Sequence, residues 1–387
     1  MTIERPPHTT YTAADSAAER IHRHFVSHPI PCCEPAGTVP DVATLAALLD
    51  AAFWTSLRRE ETYTPKISFA YASPAQVSYP MSFSTPIVLA PKNLTKLAAA
   101  VERAGLHLCV WPSAADGDSL QVWGIARNLP PLCLVLEIIV PGLLVVKRSP
   151  LNDSGKFLNI AVLQGDQVKI IDYPKEETEG PELLTSLLGL ETQFASGASV
   201  NVLLQIAVSM RAHGRGGMLL VVPDGGSEEW KESILHPITY LVTPPFAVLG
   251  KLIKKTAAGA DTDKTPQQYR FEEAMSKAVD GIAGLTAVDG ATVINSRYDL
   301  LAFGAKIVRR RGSPPVASVV VSEPVEGGTP TVAEPVDLGG TRHLAAAQFV
   351  HDQRDAIALV ASQDGRFTVF GWSAGEVHGH RIDVLLM

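Results

Sequence analysis

Apolar positions along the chain alternate between two spacings, and the spacing assigns the elements. In the stretch "DVATLAALLDAAFWTSL", Leu45, Leu48, Leu49 and Phe53 fall three or four apart, and Asp41 stands where a helix N-cap belongs. The stretch "KNLTKLAAAVERAG" predicts a second helix, closed by Gly105. Between and after these helices, "PKISFAYAS", "LHLCVWP", "SLQVWGIAR" and "FLNIAVLQ" are short, β-branched or aromatic runs bounded by polar turns, which predicts strands. The most apolar segment, "PLCLVLEIIVPGLLVVKRS", is broken by Glu137 and by Pro141-Gly142. Its pieces are too short to span a bilayer and read as two buried strands joined at a turn.

The same reading continues past a polar stretch, "YPKEETEGPE". A helix over "SVNVLLQIAVSMRAH" leads through the turn "GRGG" into a buried strand, "MLLVVP". The segment "KKTAAGADTDKTPQQ" reads as a polar, flexible insertion. A helix follows with Phe271, Met275, Ala278, Val279 and Ile282 on one face. Next come a strand over "TAVDGATVI", a turn "NSRYD", a strand "LLAFGAKIV" and a Pro/Gly-rich excursion from Gly312 to Gly340 enclosing "ASVVVS". The segment 338–365 then predicts a helix of small residues, an apolar strand and a polar turn. This succession predicts two α/β domains, residues 1–178 and 179–387, the second a mixed sheet flanked by helices.

Composition narrows the class. The 387 residues are 46% hydrophobic and 19% charged, as in globular proteins. A net charge of −7 argues against a nucleic-acid binder. Two local basic clusters stand apart, Lys251, Lys254 and Lys255, and Arg309 to Arg311; they are solvated surface or attract a polyanion. Cys32, Cys33, Cys109 and Cys133 have neither disulfide-framework nor zinc spacing, so reduced thiols are expected. With no apolar leader and no spanning segment, the expectation is a soluble, cytoplasmic protein with no membrane partner.

Two motifs carry chemistry. In Gly339-Gly340-Thr341-Arg342-His343 the glycines admit a phosphate oxygen close to a helix N-terminus, whose free N–H groups favour an anion. Thr341 caps the helix or gives its hydroxyl to the anion, Arg342 supplies a planar cation, and His343 is a further donor. The same residues would serve as an ordinary loop and N-cap. Asp289-Gly290-Ala291 is likewise either a turn or an unhindered carboxylate that holds a divalent ion. His213 reads as a capping or core histidine, and the acidic run at Asp224 as a solvated turn.

With Asp-Gly-Ala first, Gly-Thr-Arg-His second and Ser362-Gln363 after the next strand, the chain from about Val200 onward resembles the diadenylate cyclase domain. The strand in "GRGGMLLVVP" is similar to the one that opens that domain. The first half resembles, more loosely, the N-terminal sensor or regulatory regions attached to such domains. The resemblance implies two ATP molecules facing each other across a homo-oligomer interface, condensing to cyclic di-AMP and two pyrophosphates with Mg²⁺ or Mn²⁺. It implies that Asp289 binds the metal and helps activate the 3′-hydroxyl, and that Gly290 and Ala291 leave room for the ribose. Gly340, Thr341, Arg342, His343 and Ser362 would hold phosphate. Two positions depart from the family: Leu344 replaces a second arginine, and Gln363-Asp364 replaces a Glu-Glu pair. Arg309 to Arg311 are the expected compensation for Leu344. The alternatives are a nucleotide-binding sensor without turnover on the same fold and a structural oligomerisation module.

Overall fold

The computed structural model describes residues 11–27, 39–60, 63–102, 105–113, 119–151, 157–172, 202–224, 228–257 and 266–387. The chain divides into two compact units, one of residues 1–171 with Met387 and one of residues 172–386. The expected boundary at 178/179 lies outside the described residues, as do Cys32 and Cys33.

The first unit is a mixed sheet with three described helices, α1 (Ala14–Ser27), α2 (Val42–Ser56) and α3 (Pro91–Val101). Its strands are β1 (Ile67–Tyr71), β2 (Met81–Val88), β3 (His107–Pro112), β4 (Leu120–Ala126), β5 (Leu134–Val140), β6 (Leu143–Arg148), β7 (Leu158–Gln164) and β8 (Gln167–Ile170). The order is β2-β4-β3-β1-β5-β6-β7-β8, and of these neighbours only β1 and β3 run parallel. Asp41 is the N-cap of α2 as expected, its Oδ1 accepting from the Thr44 N–H at 2.7 Å. Pro141-Gly142 joins β5 to β6, with Gly142 at φ +73 making the tight turn. Cys109 and Cys133 are buried free thiols, pushed by burial up to about 12 and about 11, so neither ionises near neutrality. Helix α1, strand β2 and strand β8 were not foreseen; the buried face of α1 is largely alanine, which gives little hydrophobic signal.

The second unit is a nine-stranded sheet covered by helices on both faces. Its elements are α4 (Val202–Ala212), β9 (Gly217–Val222), β10 (Tyr240–Phe246), α5 (Val248–Ala257), α6 (Pro266–Leu285), β11 (Ala291–Asn295), β12 (Leu300–Ala305), β13 (Val319–Ser322) and β14 (Thr331–Ala333). Then follow α7 (Thr341–Asp352), β15 (Ile357–Ala361), β16 (Phe367–Ser373) and β17 (Glu376–Arg381). The strand order is β10-β12-β11-β9-β15-β16-β17-β13-β14. In β9 every residue is buried, because alternate positions enter different cores. Leu219 and Val221 pack with α4 and α6 residues such as Ile206, Met210 and Ile282. Met218, Leu220 and Val222 pack on the opposite face with Ala346, Ala347, Phe349 and Val350 of α7.

Two expectations change. Residues through Ala257 and from Pro266 are helical, so only 258–265 of the supposed insertion remain, and these lie outside the described residues. The strand over "TAVDGATVI" begins at Ala291; Asp289-Gly290 belongs to the turn before it, not to the strand.

Candidate functional site

The register of β9, β11 and β15 brings the two motifs to one end of the second sheet. Gly217 at the start of β9 pairs with Ala361 at the end of β15, and β11 runs parallel to β9 with Thr292 opposite Leu219. The mouth of α7 opens at the same end, since the Arg342 guanidinium lies against Gly216. A Cβ on Gly216 would come within 2.9 Å of Arg342 Nη1 and 3.3 Å of Gln363 Cγ. Gln363 Nε2 in turn donates to the Arg215 carbonyl at 3.3 Å. The "GRGG" turn, the start of α7 and the Ser362-Gln363 turn therefore meet, although they are far apart in sequence.

Asp289 stands open at this end, its side chain 89% exposed. Lys306, which follows β12, donates to Asp289 Oδ2, and that hydrogen bond holds the carboxyl below its ordinary range, with the charges of Lys306 and Arg342 adding to the effect. Asp289 is thus ionised at neutral pH and lies within the field of Arg342. Gly290 has φ +117, and a Cβ there would meet the Gly304 carbonyl carbon at 2.5 Å. The motif's glycine is required by the close passage of the β12 backbone, whatever room it also leaves for a ribose. Ala291 is buried at the first position of β11. Beyond Gly304, Tyr240 and Phe303 stack at 4.6 Å between centroids, with Tyr240 47% exposed on the edge strand.

At the mouth of α7 the roles differ from the sequence reading. Gly340, not Thr341, is the N-cap, and no side chain caps the helix. Thr341 is the first helical residue and is exposed. A Cβ on Gly340 would meet nothing within 4 Å, so the approach to the helix N–H groups is open on that side. Gly339 serves a different purpose: a Cβ there would lie 2.5 Å from the His343 ring. His343 is buried, 1% exposed, with Nδ1 donating to the Gly339 carbonyl at 2.9 Å and Nε2 accepting from the Thr368 hydroxyl at 3.4 Å. Burial lowers its pKa, so the imidazole is neutral and turned inward. It braces the turn that presents Thr341 and Arg342.

Ser362 belongs to the turn after β15, where it hydrogen-bonds Asp364; that bond heads the causes that hold Asp364 low. Leu344 is 37% exposed and therefore not a core residue. His213 caps the "GRGG" turn, as expected: Nδ1 accepts from the Arg215 N–H at 3.1 Å and Nε2 faces Thr286 Oγ1 at 3.2 Å. Asp224 lies past the far end of β9, paired with Arg297 at 2.7 Å.

Arg309 to Arg311 do not reach this site. The Arg310 N–H donates to Asp352 Oδ2 at 2.8 Å, and Asp352 ends α7. Leu344 lies eight residues before Asp352 on that helix, about 12 Å along its axis, which separates it from the arginine run. The cation that pairs with Asp289 is Lys306, and Arg215 lies on the turn whose carbonyl Gln363 binds. Lys306 belongs to no motif, and only its pairing with Asp289 reveals it.

A divalent ion would meet the exposed Asp289 carboxylate here, while Asp364 on the neighbouring turn is engaged by Ser362 and Arg366. Among the described residues no group of three His, Cys, Asp or Glu side chains could hold a metal. A single carboxylate suits Mg²⁺, which commonly takes one or two protein carboxylates and completes its shell with waters and substrate phosphates.

The second unit thus sets an uncapped helix N-terminus beside an ionised, exposed carboxylate, an arrangement with donors for an anion and an acceptor for a cation. Residues 34–127, about a quarter of the chain and within the first unit, match the family described as "Probable sensor domain DACNV". The chain is similar to a crystal structure of a double mutant of DacA from Staphylococcus aureus at 14% identity and a TM-score of 0.24, covering 47% of this chain and 85% of that one. A likeness at that score is too weak to transfer an activity. No curated protein matches the chain. Among the described residues, no helix is long and apolar enough to cross a membrane.

Proposed function

We propose that the protein is a diadenylate cyclase whose first unit is a sensor domain. The observation that carries this reading is the meeting of Asp289-Gly290-Ala291, Gly340-Thr341-Arg342 and Ser362-Gln363 at one sheet end, each on a separate element. The sensor-family match to residues 34–127 supports it from the other side of the chain, where such domains precede cyclases.

In this reading the open N–H groups of α7 and Arg342 grip the ATP phosphates, and the exposed Thr341 hydroxyl adds a donor. Asp289 would hold Mg²⁺ or Mn²⁺, which supplies charge stabilisation at the α-phosphate when bound. Its carboxylate, kept ionised by Lys306, accepts the proton of the attacking 3′-hydroxyl. His343 positions the phosphate-binding turn without touching substrate. One unit holds half of the reacting pair, so turnover requires two copies with facing sites. The test is incubation of the full chain with ATP and Mg²⁺ or Mn²⁺, followed by mass spectrometry for cyclic di-AMP.

A second reading, nucleotide binding without turnover, is favoured by two observations. Leu344 is exposed where the family carries an arginine, and Asp289 is already paired with Lys306. ATP binding with no product under either metal would establish this reading instead.

A further inference from the structure

The arginine run left unused by the proposed site opens onto a cleft of about 670 Å³ at the other end of the same sheet. Its walls come from the end of β9, the segment Arg310 to Pro314, and the stretch from His351 to Ala356 that joins α7 to β15. The volume lies within the range of small-molecule sites, roughly 300–1,000 Å³.

The cationic wall is built on a buried carboxylate. The Asp352 side chain has 0% exposure, and it receives the Arg310 N–H at 2.8 Å, the Gln348 amide at 2.9 Å, His351 Nδ1 at 3.0 Å and the Ser313 hydroxyl. Gln348 extends the clamp by accepting from the Val316 N–H at 2.9 Å and donating to the Pro314 carbonyl at 3.2 Å. Across the cleft, Gln353 donates to the Glu229 carbonyl and to Ser233, fixing the short helical turn that carries Trp230. Burying a carboxylate to fix a surface loop contributes little net stability against apolar packing. What the clamp achieves is a rigid placement of consecutive arginines at the rim of a cavity.

The charges on that rim are unequally engaged. Arg310 Nε pairs with Glu232 at 2.8 Å. Arg354 lies with its guanidinium over the Trp372 ring at 4.3 Å, an arrangement that fixes the plane of the fork and leaves the residue exposed. Arg311 is exposed, and no described residue pairs with it. Arg311 and Arg354 reach the cleft from separate chain segments, and a phosphate has enough acceptor oxygens to take both guanidinium forks at once. Of the remaining acids of the lining, Asp355 is exposed and offers an acceptor for hydroxyl groups, and with Glu229 it would disfavour a ligand that is anionic throughout.

We propose that this cleft is a second ligand site, taking a phosphorylated, hydroxyl-bearing small molecule of about mononucleotide size, with Arg311 and Arg354 as its phosphate ligands. It is separate from the Asp289 end: β9, α7 and β15 each run from one site to the other.

The experiment is calorimetric titration of ribose 5-phosphate into the full chain carrying Arg342→Ala, which disables the phosphate grip at the Asp289 end. Saturable binding of one equivalent per chain is expected. Adding Arg311→Gln and Arg354→Gln should weaken it at least tenfold with an unchanged melting temperature. If that double change lowers the melt, Arg311→Gln alone, at an exposed position, repeats the measurement. Equal affinity with and without the two arginines, or no saturable binding in the Arg342→Ala protein, overturns the proposal. Citrate binding as tightly as ribose 5-phosphate overturns the phosphate class.

Discussion

Two aspartates mark the two ends of the second sheet, and they are opposites. Asp289 is 89% exposed and pairs with Lys306, with Arg342 adding to the field. The Asp352 side chain is wholly buried and saturated by donors from the backbone of Arg310 and the side chains of Ser313, Gln348 and His351. Both carboxyls are held below their ordinary range, by different balances. At Asp289 the Lys306 hydrogen bond dominates. At Asp352 burial pushes upward, and the hydrogen bonds, led by Ser313 and the Arg310 N–H, outweigh it. A lowered carboxyl therefore does not by itself mark reactivity. An accessible carboxylate with room for a ligand can take part in chemistry, and a saturated one can only hold structure.

The sharpest way to break the contrast is to remove each charge. Asp289→Asn should lower cyclic di-AMP formation by roughly a hundredfold or more, because the amide keeps the shape and loses the charge a metal needs. The fold should be untouched, since the side chain is exposed. Near-wild-type product from this variant would remove Asp289 from the mechanism.

Asp352→Asn should do the reverse. The loss of charge-assisted bonds inside the clamp should cost about 2–3 kcal/mol in urea unfolding. The pH dependence follows from the sign of the shift. A carboxyl lower in the folded than in the unfolded state contributes stability above its unfolded value, and that contribution is lost as pH falls through the folded value. Wild type should therefore lose part of its advantage over Asp352→Asn as pH falls below about 4. A constant difference across that window would mean that the carboxylate is not the group responsible.

Gly290→Ala tests whether the Asp289 end is as tightly built as it is open. With φ +117 and the Gly304 backbone 2.5 Å from the new Cβ, the substitution should destabilise by about 1–3 kcal/mol. Product should fall with it, because Asp289 is the adjacent residue. An unchanged melt would show that the β12 backbone gives way.

The smallest effect is expected from Leu344→Arg. At 37% exposure the position accepts a long side chain without burying charge, so the melting temperature should not move. ATP should bind about two- to fivefold tighter at low salt, the worth of one exposed ion pair, and the gain should fade as salt rises. No gain at any salt concentration would mean that Lys306 and Arg342 already complete the grip.

Much of the scaffold was readable before folding. The Asp41 cap, the Pro141-Gly142 turn, the buried run of β9 and the small-residue helix at 341–352 all follow from local rules of spacing, capping and turn chemistry. So did the chemical content of the two motifs. The sequence could not show which partner each residue would meet. His343 read as an anion donor because it sits at a helix mouth, and folding turned it inward against Thr368 and Phe370. Gly339 read as room for phosphate and is room for that imidazole. Arg309 to Arg311 read as substitutes for a missing arginine and fold to the opposite end of α7, where Asp352 fixes them.

Local pattern determined the elements, the caps and the residue types available for phosphate chemistry, since those depend on neighbours within a few positions. Tertiary structure decided which of them face one another. The pairing of Gly217 with Ala361 and of Thr292 with Leu219 is a choice of strand register over long sequence separations. That choice is set by which faces of β9, β11 and β15 bury their alternate side chains against α4 and α6 on one side and α7 on the other. Once register is fixed, a carboxylate at 289 and a guanidinium at 342 share an end of the sheet, and a carboxylate at 352 does not.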